Sequence, residues 1–174
     1  MGEHICFRRN ERLATVNPHW RGNPVVRGKF VNRQHRFRPG MGSVLKWRLS
    51  PNPQRKEKKS VKWSPKLNYL RSLDGVVGNS LIWLGHNSFF LQLRRKRIIF
   101  GPVPFVKRQS DFPANPDIFT DIDYLLISHD HFDHLDKQSV ARLVKNNPGM
   151  KLFCGLGTGE LIKGWFPELE VTEA

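Results

Sequence analysis

An α/β fold is what this 174-residue sequence predicts, and three observations predict it. Short continuous apolar runs bounded by turn residues begin at Ser80. An amphipathic stretch of helical period separates two of the later runs. The excess of positive charge lies before the runs rather than within them. One ordinary domain with a real core and extended segments fits the length, and the hydrophobic fraction of 39% with five tryptophans argues against wholesale disorder.

Residues 1–78 show no sustained period of 2 or 3.6. Pro18, Pro24, Pro39, Pro51, Pro53 and Pro65 interrupt any long helix, and Trp20, Phe30, Phe37, Trp47 and Trp63 are scattered among them. The expectation is an irregular basic arm that packs through its aromatics onto a second region, residues 79–174. Within the arm, "NPQRKEKK" (Asn52 to Lys59) reads as the most solvent-exposed linker. His4, His19 and His35 stand singly, without ligand spacing. The formal charge of +14 is local: residues 1–80 hold 18 Lys and Arg against 4 Asp and Glu, and residues 81–174 hold 11 against 11. A basic arm on a neutral domain suits an anionic membrane surface ahead of nucleic acid, with a solvated extension as the alternative.

From Ser80 each element has its own signal. "LIWL" (Leu81 to Leu84) is a buried strand, "GHNS" a turn, and "FFLQL" (Phe89 to Leu93) a second strand. "RRKR" (Arg94 to Arg97) turns the chain into "IIF" (Ile98 to Phe100), giving a hairpin with a solvated basic tip. "DYLLIS" (Asp123 to Ser128) has the continuous apolar centre of an interior strand. "LDKQSVARLVKNNPG" is a helix, with Asp136 as N-cap, Val140, Leu143 and Val144 on one face, and "NNPG" as its stop. "KLFCG" is a further strand and "GTGELIKGWF" a short helix. "GLGTG" lacks the Lys-Ser/Thr ending of a phosphate loop and reads as a strand-to-helix turn.

No run of about 18 apolar residues is present, so a membrane-spanning helix is not expected. The first residues lack an apolar signal core, and no Ser or Thr stands at position 6 for myristoylation. Cys6 and Cys154 are far apart and outside any C-x-x-C spacing, which argues against a disulfide framework and fits a reducing cytoplasm, with peripheral membrane contact through the arm.

The chemistry is concentrated in "ISHDHFDHLD", Ile127 to Asp136. His129 and His131, two residues apart in extended chain, project to one side and can share an ion. Asp133 and His134, in the turn that opens the helix, can aim at a second. Imidazole and carboxylate donors suit zinc, with manganese or iron as alternatives. The cluster follows a buried strand, and the carboxyl ends of strands are where α/β sheets gather ligands.

"LLISHDHFDHLD" resembles the metal-binding signature of the metallo-β-lactamase fold superfamily. "IWLGHNSFFLQL" and "GPVPFVKR" resemble segments of its branch that includes N-acylphosphatidylethanolamine-hydrolysing phospholipase D and the ascorbate-6-phosphate lactonase-like proteins. The resemblance covers about residues 60–174. It implies an αββα sandwich of two pseudo-symmetric halves with a two-metal hydrolytic centre, of which this chain would be the first half. On that resemblance His129 and His131 bind one zinc ion, Asp133 and His134 the other, Asp133 also orients the attacking water, and His86 and Asp130 support the ligands from outside. The reaction implied is hydrolysis of a phosphodiester or lactone, in a small molecule or a lipid.

Two departures follow. No histidine occurs after His134 and no aspartate after Asp136, where a relative supplies its remaining ligands; Cys154, Glu160, Glu168, Glu170 and Glu173 are the late donors. Gly101-Pro102 stands where the branch carries an aspartate-proline step. The expectation is a hydrolase incomplete as this chain, with weak or no activity alone, completed by a homo-oligomer or a complementing chain as one half of a split enzyme. The alternative is a basic binding module for anionic lipid or nucleic acid with a relic metal half-site.

Overall fold

A computed structural model describes residues 4–15, 17–31, 40–63, 66, 68–102 and 114–174. The chain divides into two compact units, one of Met1–Arg8 with His19–Lys66 and one of Arg9–Pro18 with Leu67–Ala174.

In the first unit β1 (Cys6–Arg8), β2 (Asn23–Val26) and β3 (Lys29–Phe30) form a small antiparallel sheet. The β2–β3 turn needs positive φ at Arg27 (50°) and Gly28 (75°), a conformation that glycine adopts without steric cost. Two helices follow, α1 (Met41–Leu49) and α2 (Arg55–Ser60), and neither buries a residue. They stand where the sequence shows no helical period. Without an apolar stripe to mark them, each rests on local propensity in an interval between prolines. The second occupies most of "NPQRKEKK", so that segment is exposed, as its charge predicts, but helical. Trp47 and Trp63 are also exposed, and Phe37 lies outside the described residues.

In the second unit a six-stranded sheet runs β4 (Ser80–Gly85), β5 (Ser88–Leu93), β6 (Lys96–Phe100), β7 (Tyr124–Ile127), β8 (Lys151–Cys154) and β9 (Val171–Glu173), in that spatial order. The first three strands are an antiparallel meander, and β6 to β9 are mutually parallel. Parallel neighbours need crossovers, and α3 (Lys137–Asn146) and α4 (Thr158–Trp165) supply those between β7, β8 and β9. A one-turn 3-10 helix, Pro116–Ile118, precedes β7. The resemblance drawn from "GPVPFVKR" falls mostly on residues outside the described set.

Alternation along the strands sets the core. Leu84, Phe90, Ile99, Leu125 and Leu152, one from each of β4 to β8, are wholly buried. They join Val140 and Leu143 of α3 and Ile162 of α4 in one cluster. Complete burial of such a side chain stabilises the fold by roughly 1.5–3 kcal/mol. Residues of opposite parity keep more exposure: Leu81 is 67% and Trp83 54% exposed, while Phe89, Phe100, Leu126 and Phe153 are half-buried. The helix α3 begins as its sequence predicts, with the Asp136 carboxylate accepting from Ser139 N at 2.8 Å and Ser139 Oγ at 2.6 Å.

Strand β9 has no counterpart among the sequence-predicted elements. Its Glu173 carboxylate accepts from Gly157 N and Gly159 N, both at 2.8 Å, at the opening of α4. The "GLGTG" turn is therefore occupied by the chain's own carboxylate, which satisfies amides that a helix start leaves orphaned.

Candidate metal centre

The sheet topology brings two loops together. Since β5 and β6 are antiparallel and β6 and β7 parallel, the β4–β5 turn lies at the same sheet end as the carboxyl end of β7. That turn is the two-residue loop His86-Asn87, closed by the Gly85–Ser88 pair. Its carbonyl at His86 accepts from Trp83 Nε1 at 3.0 Å. The wholly buried Ser88 donates through Oγ to the carbonyl of Gly101 at 2.7 Å, tying the turn to the end of β6. Gly101, at φ 46°, approaches so closely that a Cβ there would lie 3.3 Å from the Asn87 carbonyl oxygen and 3.8 Å from that of His134.

On the other side, the chain leaving β7 passes through Ser128 to Leu135. His134 N and Leu135 N both donate to the His131 carbonyl, at 2.9 and 2.8 Å, and the buried Leu135 anchors the loop in the core. The four side chains with the predicted spacing are thereby gathered. His129 Nε2 lies 3.1 Å from His131 Nδ1, with Ser128 Oγ 2.9 Å from His129 Nδ1. The ring centroids of His129 and His134 are 4.1 Å apart. Asp133 Oδ2 lies 3.8 Å from His134 Nε2 and 3.1 Å from His86 Nε2. Asn87 Nδ2 reaches both His86 Nε2 at 3.1 Å and His134 Nε2 at 3.0 Å.

Asp130 stands exposed and adds no donor to the His86, Asp133 and His134 group, whose ligating atoms all lie within 4.8 Å of one another. Among the late donors, Cys154 lines an open cavity of about 560 Å³ together with His134, Asn87 and Ser128. Burial, with a smaller contribution from Glu173, pushes its thiol up to about 11, so it is not a ready thiolate. Phe89, Phe100, Leu126 and Phe153 give the same cavity an apolar floor.

The charge states favour a cation. The hydrogen bond from His86, reinforced by the nearby imidazoles, holds the Asp133 carboxyl below its ordinary value against the opposing effect of desolvation. Desolvation, with the neighbouring His129 as second cause, lowers the His134 imidazole, which keeps it neutral with a lone pair to give. A tetrahedral zinc ion with ligands at about 2.0–2.1 Å sets its donors about 3.3 Å apart. The 3.1 Å separation of His129 and His131 and the 3.8 Å separation of Asp133 and His134 lie on either side of that value. The donor set therefore fits a metal.

Asn87, Ser88 and Ser128 escape recognition as site residues in the sequence. The one available signal is the hairpin turn itself: once β4–β7 are paired in order, His86 and Asn87 must face the histidine loop.

Residues 96–174 match the family model of the beta-lactamase superfamily domain. The chain is 28% identical over 160 residues to N-acyl-phosphatidylethanolamine-hydrolyzing phospholipase D 1 of Caenorhabditis elegans, covering 80% of this chain and 45% of that protein. It is 35% identical over 74 residues to the UPF0173 metal-dependent hydrolase of Sulfolobus acidocaldarius, covering 42% of this chain and 31% of that one. The chain thus spans less than half the length of these relatives. Among solved structures, Igni18, a metallo hydrolase from Ignicoccus hospitalis, aligns with a TM-score of 0.40 at 18% identity, over 55% of this chain and 39% of its own.

Proposed function

We propose that this chain, whose residues 96–174 match the beta-lactamase superfamily domain, bears the amino-terminal ligands of a two-metal centre for hydrolysis of a phosphodiester or lactone. The observation that carries the proposal is the convergence of His129 with His131, and of Asp133 with His134, at separations a small cation can span. His129 and His131 hold one ion, and Asp133 and His134 the other. When bound, zinc or a similar divalent metal acts as a Lewis acid, making water nucleophilic near neutral pH and offsetting charge on the reacting group. Asp133, held anionic by the His86 hydrogen bond, would orient the attacking water. Ser128 fixes the His129 ring through Nδ1, leaving Nε2 for the centre. The floor of Phe89, Phe100, Leu126 and Phe153 beside His134 suits a substrate with an apolar arm, such as a lipid.

The basic residues 1–78 would bring residues 79–174 to an anionic surface, since 18 of the 29 Lys and Arg lie in the first 80 positions. No helix among the described residues is long and apolar enough to cross a membrane.

The test is hydrolysis of a chromogenic phosphodiester and a chromogenic lactone by the zinc-loaded chain. The chain is assayed alone and with a polypeptide carrying the later histidine and aspartate ligands. Turnover that needs metal and disappears in His134→Ala supports the proposal. Metal-independent turnover, or none in either mixture, refutes it.

A further inference from the structure

His86 does more here than support a ligand from outside. A side chain that only orients a metal-bound carboxylate has the oxygen turned away from the ion open to it. In this chain the Asp133 oxygen that meets His86 is Oδ2, the same oxygen that faces His134, at 3.1 and 3.8 Å. All three donor atoms therefore surround one point, within 4.8 Å of one another.

His86 Nε2 lies 3.1 Å from an acceptor, Asp133 Oδ2, and 3.1 Å from a donor, Asn87 Nδ2. A neutral Nε2 that donates to the ionised Asp133 carboxylate has no lone pair for Asn87 Nδ2. A cation bound by Nε2 would take the place of that proton beside the carboxylate charge.

The backbone adds an independent observation. His86 is held at φ 43°, a left-handed conformation uncommon for residues with a Cβ, though histidine, like Asn and Asp, adopts it more often than most. Such strain persists where its surroundings enforce it. Here the Trp83 and Ser88 hydrogen bonds fix the turn, and the result is an imidazole delivered to Asp133 across 47 positions of sequence.

We propose that His86 is a direct third protein ligand, through Nε2, of the ion held by Asp133 and His134. The inference rests on the metal-centre reading above. Three protein donors with an open position are the arrangement of a catalytic zinc site. The His86, Asp133 and His134 site is then complete within this chain, whereas His129 and His131 offer only two donors. The consequence is an order of loading: the first equivalent of metal enters at His86, Asp133 and His134.

Cobalt(II) titration of the metal-free full chain, followed by visible absorption and by competition with a chelator, tests this directly. His86→Gly and His86→Asn both tolerate positive φ and keep the turn, with circular dichroism as the check on folding. Each should weaken the first equivalent by more than the ~10- to 100-fold that loss of an outer partner costs, and alter the cobalt band. His129→Ala/His131→Ala should leave that first equivalent in place. The inference is overturned if the His86 variants retain the band and lose less than tenfold in affinity, or if the double variant abolishes the first equivalent. A wild-type chain that binds no cobalt would instead overturn the metal-centre reading itself.

Discussion

Ser88→Ala removes one oxygen atom from the junction that positions the candidate centre. Ser88 is wholly buried, and its hydroxyl is bonded to the Gly101 carbonyl at 2.7 Å. The variant loses a hydrogen bond worth about 1 kcal/mol net and leaves a buried carbonyl unpaired, for a total of roughly 1–3 kcal/mol. For a chain of this size each kcal/mol lowers Tm by about 2–4 °C, so a fall of about 2–12 °C is expected on thermal denaturation of the metal-free protein. Ser80→Ala is the control: its hydroxyl donates to the Val77 carbonyl at 3.0 Å in an exposed setting, and its effect should stay within about 0.5 kcal/mol. Because the same turn carries His86 and Asn87, Ser88→Ala should also weaken metal binding by roughly tenfold, the size of a lost outer support. Equal melting temperatures for the two variants would refute the claim that this hydrogen bond secures the turn.

Asn147→Ala should cost more, about 3–5 kcal/mol by chemical denaturation, because the buried amide serves the Ile122 N–H and the carbonyls of Phe119 and Leu143 at once. Asp123 gives a pH-dependent contribution: burial raises its carboxyl, but bonds from Lys96 and the Arg97 N–H outweigh that and hold it below 3.8. Its stabilisation is therefore present above the unfolded value near 3.8 and is lost as pH falls through the lower folded value, and Asp123→Asn should flatten acid denaturation in that window. At pH 8 a thiol reagent should label the exposed Cys6 rapidly, while Cys154, buried and with its thiol pushed up to about 11, reacts only on unfolding; equal labelling rates would contradict that burial.

The strands from Leu81 to Cys154 and the helix after Asp136 were legible because each carries a period or a cap: continuous apolar runs for β4 to β8, and Asp136 with Val140 and Leu143 for α3. The helices α1 and α2 were not legible, because nothing in them is buried and so no periodic pattern marks them. Strand β9 escaped because its three half-buried residues give no apolar run, and its pairing with β8 is set by tertiary contact. In the site, His129, His131, Asp133 and His134 were visible from spacing. Asn87 was hidden because its role arises from sheet pairing, 47 residues away from the histidine it reaches. His86 was visible as a neighbour, but the choice of Asp133 oxygen that makes it a candidate ligand is a fact of side-chain geometry and has no sequence signature.

Equilibrium dialysis of the purified full chain against zinc, with metal counted by mass spectrometry, tests the central claim most directly. The wild-type chain should hold at least one equivalent at micromolar free zinc, and the variant with His129, His131 and His134 replaced by Ala should hold none. A wild-type chain without zinc, or a variant that retains as much as the wild type, would contradict the assignment of these residues as a metal centre.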